Sequence, residues 1–292
     1  MRACQPVADG YVERDGVKVH YELFGDGEPT VLLLPTWSIL HSRHWKMQIP
    51  YLARHCRVIT FDGRGNGRSD RPTEPEAYRS AEFTADALAV MDAAGTERSL
   101  LVALSLGATW ALELGALYPE RVAGIVFIAP ALPLGLSAAR LAYSFTERLG
   151  ATEGWAKYNR HFWREHYREF LEFFFSQMFT EPHSTKPIED TVGWGLETDA
   201  ETLIATRLGA GAQGEPFSDP ERAVELAGRL RCPVLVVHGE EDAIRPLANG
   251  AKLAELAGGE LVTVEGSGHA PHVRDPVKVN LVLRDFVSRS RP

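Results

Sequence analysis

Short, unbroken apolar runs alternate with segments of helical periodicity along most of this chain. Residues 11–24, "YVERDGVKVHYELF", alternate around Asp15-Gly16, a pair whose ease in reaching positive φ marks a hairpin turn. "TVLLLP" (30–35) is apolar throughout and too short for a helix, which predicts a strand buried on both faces. A helix is expected over about 44–54, then a strand over "CRVITFD" (56–62). Glycine and proline punctuate "GRGNGRSDRP" (63–72), so it is predicted as a loop. Phe83, Ala87, Leu88 and Met91 sit at helical spacing within 76–94, and Gly95 is placed to cap that helix. "SLLVAL" (99–104) reads as a strand leading through Ser105 into a helix that ends near Tyr118, and "VAGIVFIAP" (122–130) as another buried strand.

The alternation then stops. Residues 136–228 hold no convincing strand but many aromatics, among them Trp155, Tyr158, Phe162, Trp163, Tyr167, Phe170, Phe173, Phe174 and Phe175. Their three- and four-residue spacing predicts amphipathic helices. Strand and helix resume with "CPVLVVHG" (232–239), a helix near 246–257, "ELVTVEG" (260–266) and a last helix near 276–288. This order predicts an α/β protein with a mainly parallel sheet of about eight strands and helices on both faces. Residues 1–135 and 229–292 would form the core, and 136–228 a helical insertion.

Composition narrows the partners. The 292 residues carry 39 acidic against 31 basic side chains, a formal charge of −8, which argues against nucleic acid or an anionic membrane surface. Cys4, Cys56 and Cys232 lie far apart with no CxxC spacing, as expected of reduced thiols in a cytoplasmic protein. "MRACQPVADGYVERDG" has no apolar core, so no signal peptide is expected, and no apolar run is long enough to span a bilayer. A small-molecule substrate is the expected partner; monomer and homo-oligomer both stay open.

Ser105 interrupts an apolar run at a strand-to-helix junction, with the small residues Ala103 and Gly107 two positions to either side. A sharp turn there would present the serine and would exclude bulk at those flanking positions. The pattern A-L-S-L-G departs from G-x-S-x-G by one methyl. A serine nucleophile needs a base, and the base needs an orienting carboxylate. His269 in "EGSGHAPH" follows the last predicted strand, and Asp242 in "HGEEDAIRP" follows the one before it. Both therefore belong on the sheet edge that carries Ser105, in the chain order Ser, Asp, His. Glu240 and Glu241 compete for the acid role; Asp242 is preferred because it lies deeper in its loop. The N–H groups of Leu106 and, by position, Trp37 are the expected oxyanion donors.

Other features carry plainer readings. His272 is expected at a loop or pocket edge, and His238, ending a strand, as a packed structural residue. "HSRH" (41–44) has no carboxylate or cysteine at ligand spacing, so no metal is expected. "GRGNG" lacks the G-K-[ST] and G-x-G-x-x-G of phosphate loops, and no cofactor is expected. Most aromatics of residues 136–228 should form the insertion's own core, with Trp155, Trp163 and Trp194 as candidates for lining a substrate channel.

The serine junction, "FDGRGNGRSDRP", "VLVVHGEEDAIRP" and "GSGHAPH" together resemble the α/β-hydrolase superfamily, and the likeness spans nearly the whole chain. It implies the α/β-hydrolase fold, with the insertion as a cap over the site and Asp62 and Arg64 as structural residues of their loop. It also implies a cofactor-free serine esterase. Thioester hydrolysis, perhydrolysis and carbon–carbon bond hydrolysis use near-identical triads, and a hydrolase-fold receptor or pseudoenzyme is the non-catalytic alternative. Many members carry His-Gly where this chain has Pro35-Thr36, which touches the second oxyanion donor.

Overall fold

Asp15 (φ 50°) and Gly16 (φ 78°) do adopt the left-handed backbone of a two-residue hairpin. They join β1 (Ala8–Arg14) to β2 (Val17–Phe24), with Arg14 paired to Val17. The protein is represented by a computed structural model, which describes residues 4–135 and 142–290. β3 (Thr30–Leu33), β4 (Arg57–Phe61), β5 (Ser99–Leu104), β6 (Val122–Ile128), β7 (Val234–Gly239) and β8 (Glu260–Val264) complete one eight-stranded sheet. Its order is β1-β2-β4-β3-β5-β6-β7-β8, and it is parallel from β4 onward.

Alternate side chains of the central strands feed two separate cores, as the period of two requires. Leu32, Ile59, Leu101, Ile125, Phe127 and Val236 meet α2 (Ser80–Ala93), α3 (Gly107–Leu117), α7 (Pro220–Gly228) and α8 (Leu247–Ala257) on one face. Val31, Val58, Val102, Val126 and Val237 point the other way, toward α1 (Ile49–Leu52) and α10 (Pro276–Arg289). Two apolar faces explain why the strands read as continuous rather than alternating runs. The fold class is that expected from the sequence: an α/β-hydrolase fold.

Two local expectations are refined. In place of one helix over 44–54 there are two short pieces, a 3₁₀ turn at Ser42–Trp45 and α1. Pro50 has no N–H to give and cannot sit inside a continuous helix. At the end of α2, Gly95 takes φ 62°; its N–H donates to the Asp92 carbonyl, and the Thr96 N–H donates to Met91. That is the helix stop expected of glycine at this position.

Between β6 and β7 the described residues contain no strand. α4 (Arg160–Met178), α5 (Thr185–Gly195) and α6 (Ala200–Ala210) precede α7, and α4 buries Trp163, Phe170, Leu171, Phe174 and Phe175 along one side. α4 is broken at His166 (φ −139°, ψ 46°). The first residues of the expected insertion, 136–141, lie outside the described residues. No described helix is long and apolar enough to cross a membrane.

Candidate active site

Ser105 sits at the turn between β5 and α3 with φ 53°, a conformation costly for a residue with a Cβ. The strand partners hold it there: the Ser105 N–H donates to the Ile128 carbonyl at 2.9 Å, and the Ser105 carbonyl accepts from Ala131 at 3.0 Å. Gly107 has no room for a side chain, because a Cβ would lie 2.4 Å from the Pro35 carbonyl oxygen. The same position would be 3.8 Å from the Ala103 methyl, an ordinary contact. The turn therefore demands glycine only after the serine, which is why alanine is tolerated before it.

The histidine and the acid arrive from the adjacent strand ends. Ser105 Oγ lies 2.9 Å from His269 Nε2, and His269 Nδ1 lies 2.7 Å from Asp242 Oδ2. Because Asp242 can only accept, Nδ1 carries the proton and Nε2 is left to accept from the serine. Asp242 is buried and takes four donors. Ile244 and Arg245 N–H groups bond Oδ1 at 2.8 Å each, while His269 and His238 Nε2 (3.1 Å) reach Oδ2. Burial alone would raise this carboxyl's pKa. The charge of His269 and the hydrogen bonds from both histidines outweigh it and hold Asp242 well below the ordinary carboxylate range. Glu240 and Glu241 stay exposed in the same loop, so only Asp242 of the three acids meets His269.

His238 was expected as a packing residue and is more than that. Its Nε2 lies between two acceptors, Asp242 Oδ2 and the Arg245 carbonyl (3.0 Å), so it must be the protonated nitrogen. A strand-end histidine carries no signature of such a contact; only the position of Asp242 four residues on, in a returning loop, hints at it. His272 is fully buried away from bulk water, 3.3 Å from His44. His41 instead approaches Glu197 at 3.4 Å, so the two histidines of "HSRH" diverge.

A narrow cleft opens at Ser105, lined by Trp37, Leu106, Ala131, Tyr158, Phe174, Arg207, Ala210, Phe217 and Ile244. Both expected oxyanion donors are thus at its wall. Among the described residues, neither the Leu106 nor the Trp37 backbone N–H has a protein acceptor. The Pro35-Thr36 departure has a local reason: the Thr36 hydroxyl donates to the Leu104 carbonyl at 2.9 Å, tying this loop to the residue before Ser105. Trp37 Nε1 donates to Thr206 Oγ1 on α6 at 2.8 Å, and its ring packs against Trp163 and Phe174.

The aromatic lining differs from expectation. Trp155 packs on Phe173 at 5.2 Å, Trp163 stacks on Phe170 at 4.4 Å, and Trp194 lies under the Lys46 ammonium at 5.2 Å. None of the three lines the cleft; Trp37, Tyr158, Phe174 and Phe217 do. Asp62 and Arg64 are remote from it. Asp62 caps Ser42 and Arg68 N–H groups, and Arg64 pairs with Asp86 through Nε (2.7 Å) and Nη2 (2.8 Å).

A family profile described as the alpha/beta hydrolase fold matches residues 29–276. The chain is 25% identical over 285 residues to the 2-hydroxymuconate semialdehyde hydrolase of Pseudomonas sp. (strain CF600), spanning 94% of this chain and 92% of that relative. Among solved structures, Est816, described as an N-acyl homoserine lactone degrading enzyme, superposes with a TM-score of 0.77 at 25% identity, over 95% of this chain and 100% of that one. The enol-lactonase from Burkholderia xenovorans LB400 also gives 0.77, at 21% identity over 96% and 100%, a likeness of fold alone.

Proposed function

Because the chain belongs to the α/β-hydrolase family, we propose that it is a serine hydrolase cleaving small carboxylic esters through an acyl-enzyme on Ser105. The observation that carries the reading is the unbroken contact chain from Ser105 through His269 to Asp242 at the mouth of an aromatic cleft. Lactones are cyclic esters, so the relative described as degrading them is consistent with ester chemistry.

In this reading Ser105 Oγ attacks the ester carbonyl while His269 Nε2 takes its proton. Negative charge on the carbonyl oxygen is met by the Leu106 and Trp37 N–H groups, which have no protein partner to surrender. Collapse of the tetrahedral species breaks the bond to the alcohol oxygen, which leaves with the proton held on His269. Water then attacks the acyl carbon, gives a proton to His269, and the acid departs as Ser105 recovers its hydrogen. Asp242 stays ionised throughout and stabilises the imidazolium. The segment between β6 and β7 acts as a cap, supplying Tyr158 just before α4, Phe174 on α4 and Arg207 on α6 to the cleft.

The test is covalent labelling with a fluorophosphonate probe. The expected result is one adduct on Ser105, absent from Ser105→Ala, together with hydrolysis of short activated esters. A protein that neither labels at Ser105 nor turns over any such ester would be a non-catalytic member of the fold.

A further inference from the structure

Arg207 is the one charged side chain among the described residues lining the Ser105 cleft. It projects from the last turn of α6. Its guanidinium lies over the rings of Phe145 (5.3 Å), Tyr158 (6.0 Å) and Phe217 (5.2 Å). Among the described residues no carboxylate comes within ion-pair distance of it, and its buried Nε has no hydrogen-bond partner. Aromatic faces offset only part of the cost of taking a cation out of water.

This chain does not lack acids with which to pair arginines. Arg64 is buried against Asp86 in a two-point contact, and Arg164 meets Glu201, on α6 itself, through two bonds. Among the described residues, Arg57, Arg71 and Arg98 also do without an acid, but they bond carbonyl or hydroxyl oxygens instead; Arg207 faces the cleft with aromatic rings beneath it. The guanidinium also lies against Gly211, where a Cβ would fall 2.1 Å from Arg207 Nη1 and push the flexible side chain aside.

Resting on the serine-hydrolase reading above, we propose that Arg207 is a specificity-determining residue, and that the substrate is an ester that also bears a carboxylate. The planar guanidinium offers parallel donors that match a carboxylate. The two-point contact would orient the acyl carbonyl toward Ser105, with the aromatic rings holding the intervening methylenes.

The experiment compares 4-nitrophenyl adipate, whose six-carbon acyl chain ends in a free carboxylate, with 4-nitrophenyl hexanoate, in wild type and in Arg207→Gln, Arg207→Lys and Gly211→Ala. The readout is the ratio of kcat/KM for the two esters, which cancels losses common to both. Wild type is expected to favour the adipate ester by about tenfold or more, chiefly through KM. The ratio should collapse in Arg207→Gln, be partly kept in Arg207→Lys, and fall to an intermediate value in Gly211→Ala, where the guanidinium is displaced but present. An unchanged ratio in Arg207→Gln, or no preference in wild type, overturns the proposal while hexanoate turnover and Ser105 labelling leave the serine-hydrolase reading standing. Loss of both turnover and labelling in wild type removes that reading, and this one with it.

Discussion

Among single residues, Asp242 is the pivot of the proposed mechanism. Its four hydrogen bonds fix both oxygens, and one of them selects the tautomer of His269 that can accept from Ser105. Asp242→Asn can place an amide N–H where His269 Nδ1–H now donates, forcing the imidazole proton onto Nε2 and blocking it as a base. The variant should keep a wild-type thermal midpoint to within a few degrees yet lose roughly 10⁴-fold in kcat. Steady-state kinetics beside a thermal melt checks both halves; near-native turnover would move the acid role elsewhere. Ser105, Asp242 and His269 were legible in the sequence because each follows a strand whose apolar run is unmistakable. His238 and Arg207 were not, since nothing in local spacing tells a histidine at a strand end, or an arginine on a helix, which way its ring or guanidinium will point.

Elements are held by contacts of different kinds, and one gives a pH signature. α9 (Pro271–Arg274) places His272 in a fully buried site against His44 and Trp45. Burial, with the nearby charge of His269, lowers the His272 pKa to about 3; His44 is lowered too, by burial and then by His272 and His41. Between the ordinary histidine value of about 6.5 and these native values, the unfolded chain binds protons that the folded chain refuses. The stability due to neutral burial is therefore complete above about pH 6.5 and is lost as pH falls, at up to about 1.4 kcal/mol per pH unit for each group. Denaturant melts between about pH 6 and pH 4 should show a shallower pH slope in His272→Leu than in wild type. Equal slopes would mean that His272 does not refuse its proton in the native state. α9 itself was not foreseen, because four residues after a glycine-rich loop are too few to show helical periodicity.

Across the whole molecule, the sheet and the helices between β6 and β7 meet at the site itself. The His269 N–H donates to the Met178 carbonyl at the end of α4, and Glu181 Oε1 accepts from Ser267 Oγ and the Gly268 N–H, all at 2.9–3.0 Å. Trp37 reaches α6 in the same way. The proposed base is thus held jointly by a strand end and by the helical segment, and the cleft wall is shared between them. The mainly parallel sheet and the site edge could be read from apolar runs, since burial on two faces leaves a strong pattern; the order of the strands could not, because it depends on pairing between distant segments. Which aromatics face the cleft could not, because Trp155 and Trp163 share their helical spacing with Tyr158 and Phe174, and only packing across elements separates them.

In the proposed mechanism this joint scaffold makes Ser105 a nucleophile that carries the acyl group. Rapid mixing with 4-nitrophenyl hexanoate, acid quench within the first turnovers and mass spectrometry of the digested protein tests it directly. A hexanoyl adduct is expected on the peptide containing Ser105, appearing with a burst of 4-nitrophenol and absent from Ser105→Ala. Steady turnover with no adduct, an adduct on another residue, or undiminished turnover by Ser105→Ala would contradict it.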